Sequence, residues 1–173
     1  IAAIMGYITK VPFHKMLDEV ANNIKSTAGA ILILLMVGAL AGTWMVSGII
    51  PSMIYYGLQI LSPAVFLPAT LIICSVISIA TGSSWTTSAT VGIALIGIGG
   101  ALGFDLGMVA GAVISGAYFG DKLSPMSDTT NLAPAMAGTD LFTHIKYMTL
   151  TTIPTYIITL ILCIIVGLSI EVK

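Results

Sequence analysis

Residues 26–104 read STAGAILILLMVGALAGTWMVSGIIPSMIYYGLQILSPAVFLPATLIICSVISIATGSSWTTSATVGIALIGIGGALGF and hold no Asp, Glu, Lys or Arg, although Lys25 precedes them and Asp105 follows. A helix needs about 20 apolar residues to cross a membrane's hydrocarbon core, so this run has room for three crossings. The whole chain agrees: 57% of its 173 residues are hydrophobic, 8% are charged, and mean hydropathy is +1.08. Ordinary soluble domains carry about 25% charged residues. The fold class expected is all-α: a polytopic membrane helix bundle with discontinuous helices or re-entrant segments, multi-pass in the cell (inner) membrane. Net charge is −1 and arginine is absent, so no basic surface for nucleic acid exists. Cys74 and Cys163 lie in apolar segments without C-x-x-C spacing, where cysteine acts as a small hydrophobe rather than a disulfide or metal ligand.

Upstream, residues 11–26 place Phe13, Met16, Leu17, Val20 and Ile24 at helical spacing, with His14, Lys15, Asp18, Glu19, Asn22 and Asn23 opposite. That pattern predicts an amphipathic helix on the membrane surface. The first crossing is expected at 27–50, stopped by Pro51, with Gly38, Gly42 and Gly48 giving a small-residue face that a neighbouring helix can approach. Lys10, Lys15 and Lys25 precede it and residues 51–63 lack Lys and Arg, which puts the amino end in the cytoplasm. The chain opens at Ile1 without a basic leader region, and is expected to be a segment of a longer protein.

Downstream, the apolar character is cut into membrane segments at about 60–80, 89–104 and 106–120, of which the last two fall below the roughly 17–25 residues of a full span. Helices broken at membrane depth are therefore expected. A final span covers 149–170, preceded by a short amphipathic helix at 140–148, capped by Thr139 with Asp140 in its first turn.

Two polar tracts interrupt this pattern. Thr81-Gly82-Ser83-Ser84-Trp85-Thr86-Thr87-Ser88-Ala89-Thr90 carries seven hydroxyls and a glycine where a helix can end. Backbone can unwind in a membrane only inside protein or beside water, and hydroxyl and carbonyl oxygens are hard donors that suit Na⁺. The alternative is that these hydroxyls bond back to their own helix or glue neighbouring helices. The second tract, Gly120-Asp121-Lys122-Leu123-Ser124-Pro125-Met126-Ser127-Asp128-Thr129-Thr130-Asn131, carries three charges. On insertion scales each costs roughly 2.5–3.5 kcal/mol at the bilayer centre. Gly116 and Gly120 read as the end of the preceding half-helix, and Ser124-Pro125 as the cap and first residue of the next. Asp121 and Lys122 are adjacent, so only an extended or turn segment would let both serve one cavity. A pair of interrupted apolar segments is the best sequence pointer to a secondary transporter's binding site.

At these residues the chain resembles the NhaC-type Na⁺/H⁺ antiporters. GAYFGDKLSPMSDTTNLAPAMAGTDLFTHIKYM (116–148) is similar to that family's most distinctive signature, TGSSWTTSATVGIALIGIG (81–99) to a second, and GALAGTWMVSGIIPSMIYYG (38–57) to a weaker third. The family more often has a glycine where this chain has Thr87 or Ala89. The resemblance implies a secondary active transporter whose partners are Na⁺, H⁺ and lipid, with no cofactor, and it includes members that exchange malate or lactate.

Antiport needs one site that either ion can fill. A carboxylate serves: ionised it binds Na⁺ with neighbouring oxygens, and protonated it is neutral. Asp128 is the first candidate and Asp121 the second, with Ser127, Thr129, Thr130, Asn131, Ser83, Ser84, Thr86 and Thr87 completing a cage. Lys122 is assigned to charge compensation or to an anionic cargo. The competing readings are a Na⁺- or H⁺-coupled exchanger of a small organic acid, an ion channel, and an intramembrane enzyme, for which no His-Glu-x-x-His or Gly-x-Ser-x-Gly pattern is present. The rest of a parent transporter is expected as a partner, with a homodimer also expected. Asp105, Asp140 and His144 read as turn, cap and surface residues.

Overall fold

The computed structural model describes residues 11–169, and among them there is no strand. The helices are α1 (Phe13–Val46), α2 (Ile49–Ile60), α3 (Pro63–Thr81), α4 (Ser84–Thr87), a π-helical turn (Ser88–Gly92), α5 (Ile93–Ala101), α6 (Leu106–Leu123), α7 (Asp128–Ala137) and α8 (Leu141–Ser169). The chain divides into two compact units, the first ending at Ala39 and the second beginning at Leu40.

The surface helix expected at 11–26 and the crossing at 27–50 form one continuous helix, α1. No proline falls between Pro12 and Pro51, so nothing in the sequence stops it. The break comes at Gly48, whose φ of 83° is left-handed, and not at Pro51. Pro51 sits in the first turn of α2, where its missing N–H costs no helical hydrogen bond. The pair Gly38–Val46 and Ile49–Ile60 is bent by 72°.

In the second unit, α3 and α8 are each long and apolar enough to cross a membrane. Helices α3 and α6 run parallel in close contact: Leu71 faces Gly116, Ser75 faces Gly120, and Ile79 faces Ser124. Gly116 and Gly120 lie inside α6 and do not end it. A Cβ on Gly120 would stand 2.5 Å from the Ser75 carbonyl oxygen, and one on Gly116 would collide with the carbonyl oxygen of Leu71. Small residues one turn apart let two backbones pack where side chains would hold them off.

Segment 84–101 does not continue in the direction of α3. Gly92 abuts Val113 while Gly99 abuts Val109 and Phe66, so α4, the π turn and α5 run back antiparallel to α6. The piece expected at 89–104 is therefore the return arm of a helical hairpin. It starts at Ser84, with Gly82–Ser83 at the tip. The hairpin closes around a core of Phe66, Leu67, Cys74, Leu95, Ile98, Phe104, Val109 and Val113.

Helix α8 crosses the other side in the opposite sense, Gly167 lying against Ala64 and Tyr156 stacking on Phe119 at 3.9 Å. The helices expected at 140–148 and 149–170 are one, and Pro154 lies within it. Asp140, not Thr139, starts α8: its carboxylate accepts from the Thr143 N–H at 3.1 Å. Asp105 does the same for α6, accepting from the Met108 N–H at 3.1 Å.

Candidate cation site

The two polar tracts meet at one end of the α3–α6 pair. Helix α3 ends at Gly82, which is left-handed at φ 70°. Only glycine suits the position twice over, because a Cβ would also stand 2.6 Å from the Met126 carbonyl carbon. The left-handed conformation costs an L-residue roughly 1–2 kcal/mol before any clash is counted. Gly82→Ala is thus expected to lower the thermal unfolding midpoint of detergent-solubilised protein by several degrees; an unchanged midpoint would show that the tip is not packed on Met126.

Hydrogen bonds stitch the tracts together across the same junction. Ser84 Oγ donates to Asp121 Oδ2 at 3.0 Å. Ser124 Oγ donates to the Ile79 carbonyl at 2.7 Å and Ser78 Oγ to the Ala117 carbonyl at 2.5 Å. Thr130 Oγ1 reaches back to the carbonyls of Asp121, at 3.0 Å, and Lys122, at 3.3 Å, covering oxygens that the end of α6 leaves free. Ser84, Ser124 and Thr130 are buried, and Asp121 is half-buried.

The sequence-derived cage divides on this geometry. Ser84 and Asp121 come together as one contact between the tracts. Asp128, placed first by the sequence, is exposed at the start of α7, where its carboxylate accepts from the Thr129 N–H at 2.9 Å. The reason is that α7 begins three residues later than Ser124-Pro125 suggests: Ser127 is its cap, accepting from the Thr130 N–H at 3.4 Å. Asn131 braces the turn instead of facing a cavity, its amide donating to the carbonyls of Pro125 and Ser127, both at 2.7 Å. Thr129 shares a hydroxyl contact with Ser127 at 2.9 Å.

Apart from Ser84, the hydroxyls of the first tract that form hydrogen bonds do so within the tract. Thr87 Oγ1 donates to the Ser83 carbonyl at 2.9 Å, and Ser83 Oγ accepts from both the N–H and the hydroxyl of Thr86, at 3.2 and 3.1 Å. The tract is unwound only at Gly82–Ser83.

Residues 116–173 match the sequence profile of the Na⁺/H⁺ antiporter family, covering the second tract, α7 and α8. The chain is 46% identical over 169 residues to the Na⁺/H⁺ antiporter NhaC of Alkalihalophilus pseudofirmus, covering 98% of this chain and 37% of that protein. It is 48% identical over 167 residues to the malate-2H⁺/Na⁺-lactate antiporter of Bacillus subtilis, covering 96% of this chain and 36% of that protein. The arginine/ornithine antiporter ArcD of Halobacterium salinarum is 43% identical over 159 residues, 92% of this chain and 33% of that one. The chain is similar to these antiporters over nearly its whole length.

It spans about a third of the length of these antiporters. No solved structure matches it. It is a multi-pass membrane protein, and among its described residues no cluster of His, Cys, Asp or Glu could hold a metal ion.

Asp121 and Lys122 both lie in the last turn of α6, and no extended segment brings them to one cavity. About 100° of helical rotation separates neighbours, so the two serve different faces. Asp121 turns to Ser84. Lys122 lines a cleft of about 300 Å³ between α6 and α8, with Ser115 and Tyr118 on one wall and Thr152, Thr155 and Tyr156 on the other. The sequence missed this cleft, since hydroxyls spaced along an apolar span look like ordinary helix-bonded threonines. It also missed Ser78 and the π turn after Thr87. A π turn commonly marks a functional region in a helix, but no composition cue separates Ser88–Gly92 from plain helix.

Proposed function

We propose that the chain carries the cation site of a Na⁺/H⁺ antiporter, working as part of a longer transporter rather than as an enzyme. Asp121 is the carboxylate that alternates between Na⁺ and H⁺. Ser84 is its partner from the facing tract, with Ser83, Thr86 and Thr87 behind it. The observation that carries this reading is the Ser84–Asp121 contact, because it joins the two polar tracts through the one carboxylate that faces both. The family match and the NhaC relatives support antiport.

Asp128 has a lesser part, its charge lying at the positive end of α7 and drawing cations towards the turn. Thr129, Thr130, Ser127 and Asn131 hold that turn in shape.

Removing the Ser84 hydroxyl takes away a hydrogen bond to a charged group, worth about 1.5 kcal/mol or more. In vesicles carrying the full-length parent, Ser84→Ala is therefore expected to raise the Na⁺ concentration for half-maximal, pH-gradient-driven ²²Na⁺ uptake by about tenfold. An unchanged half-saturation would remove Ser84 from the site.

A second reading, Na⁺- or H⁺-coupled exchange of a small organic acid, is favoured by the likeness to the malate-2H⁺/Na⁺-lactate antiporter. Counterflow of labelled malate or lactate in the same vesicles separates the two: trans-stimulated acid uptake supports exchange of the acid, and none leaves Na⁺/H⁺ antiport alone.

A further inference from the structure

The cleft beside α6 has a donor set that the cation site does not use. Lys122 has no hydrogen-bond or ion-pair partner for its ammonium among the described residues, and the side-chain hydroxyls of Ser115, Tyr118 and Thr152 are equally without partners. The Tyr156 hydroxyl is already engaged, lying 3.1 Å from Ser75 Oγ, whose one proton goes to the Leu71 carbonyl at 2.7 Å. Among the described residues no carboxylate lines the cleft. Thr130 also covers the carbonyls of Asp121 and Lys122, which blunts the negative end of α6 beside the ammonium. The result is one positive charge and three unspent hydroxyl donors around about 300 Å³, a volume suited to a solute of a few carbons.

A cation would find a like charge there and no anion. Hydrocarbon would leave the donors unsatisfied, each at a cost of several kcal/mol. A small anion with several oxygens satisfies all of them, since a charge-assisted bond to Lys122 fixes one end and the hydroxyls take the rest.

We propose that the cleft between α6 and α8 binds a small hydroxycarboxylate. Lys122 pairs with its carboxylate, while Ser115, Tyr118 and Thr152 donate to its remaining oxygens. The subsite is separate from the cation site, and the two lie on different faces of the last turn of α6, so occupancy of one can bias the other through that turn. The proposal rests on the organic-acid reading above.

The test is calorimetric titration of the purified full-length parent with L-malate and L-lactate at neutral pH, run beside pH-gradient-driven ²²Na⁺ uptake by the unaltered protein. Lys122→Gln is expected to weaken acid binding at least tenfold, Lys122→Arg to restore it to within a few-fold, and Thr152→Val to weaken it severalfold. Acid binding that is unchanged in Lys122→Gln overturns the subsite. Binding of neither acid by a protein that still exchanges Na⁺ for H⁺ overturns the subsite and leaves antiport standing. Acid binding that depends on Lys122 in a protein that does not exchange Na⁺ for H⁺ supports the subsite and overturns antiport. If Lys122→Gln does not fold, protection of the Ser115→Cys variant from maleimide by malate, and not by chloride, carries the same decision: protection supports the subsite and its absence overturns it.

Discussion

Asp121→Asn should abolish pH-gradient-driven ²²Na⁺ uptake by the full-length transporter, while Asp128→Asn keeps uptake and loses no more than about tenfold in apparent Na⁺ affinity. The substitution keeps the shape of the side chain and its contact with Ser84. On the proposed role it removes the negative charge that would hold Na⁺ and the group that would exchange it for a proton, so no coupled cycle would remain. Asp128 is exposed and, among the described residues, engages only the N–H of its neighbour Thr129, so its charge acts on a passing cation through solvent. At physiological ionic strength screening over about 8 Å leaves such an influence modest. Uptake measured in vesicles at matched protein levels decides between them. Loss of uptake in Asp128→Asn with retention in Asp121→Asn would restore the order the sequence suggested.

Gly120→Val is expected to leave no correctly folded transporter, seen as loss of a monodisperse peak in detergent. Its Cβ would stand 2.5 Å from the Ser75 carbonyl oxygen and 2.6 Å from the Ile79 amide nitrogen, both backbone atoms that cannot rotate away. Overpacking a core costs roughly 1–3 kcal/mol when side chains can shift. Here the whole of α6 would have to lift off α3, taking the Ser78–Ala117 and Ser124–Ile79 bonds with it. Gly111→Ala serves as the comparison: an added Cβ there meets nothing within 4 Å, and the variant should behave as the unaltered protein.

The fold class was legible because composition alone fixes the solvent. A charge-free run from residue 26 to 104 has no soluble alternative, and Gly82 marked the end of α3 correctly. Direction was not legible. Hydropathy scores a segment's length and cannot tell a helix that continues across a break from one that turns back, so the return of 84–101 alongside α6 appears only in the pairing of Gly92 with Val113 and Gly99 with Val109. Glycine was ambiguous in the same way. At Gly48 and Gly82 it takes a left-handed turn, whereas at Gly116 and Gly120 it makes room for another backbone, and the residue type is identical in both uses.

The candidate site shows the same division. That the two tracts belonged together could be read from two polar interruptions in an apolar chain. Which side chains face each other depended on where α7 starts, and a three-residue shift from Ser124 to Ser127 turned Asp128 outward. Because α6 runs helically through Leu123, Asp121 and Lys122 went to separate faces, one towards Ser84 and one towards the α8 threonines.

The most direct test is to locate the ion. Crystals of the full-length protein grown with Tl⁺, a monovalent cation visible by anomalous scattering, should show a peak in coordinating contact with the Asp121 carboxylate and the Ser84 hydroxyl, and Na⁺ should displace it. A peak beside Asp128 with Asp121 and Ser84 left unliganded would contradict the account.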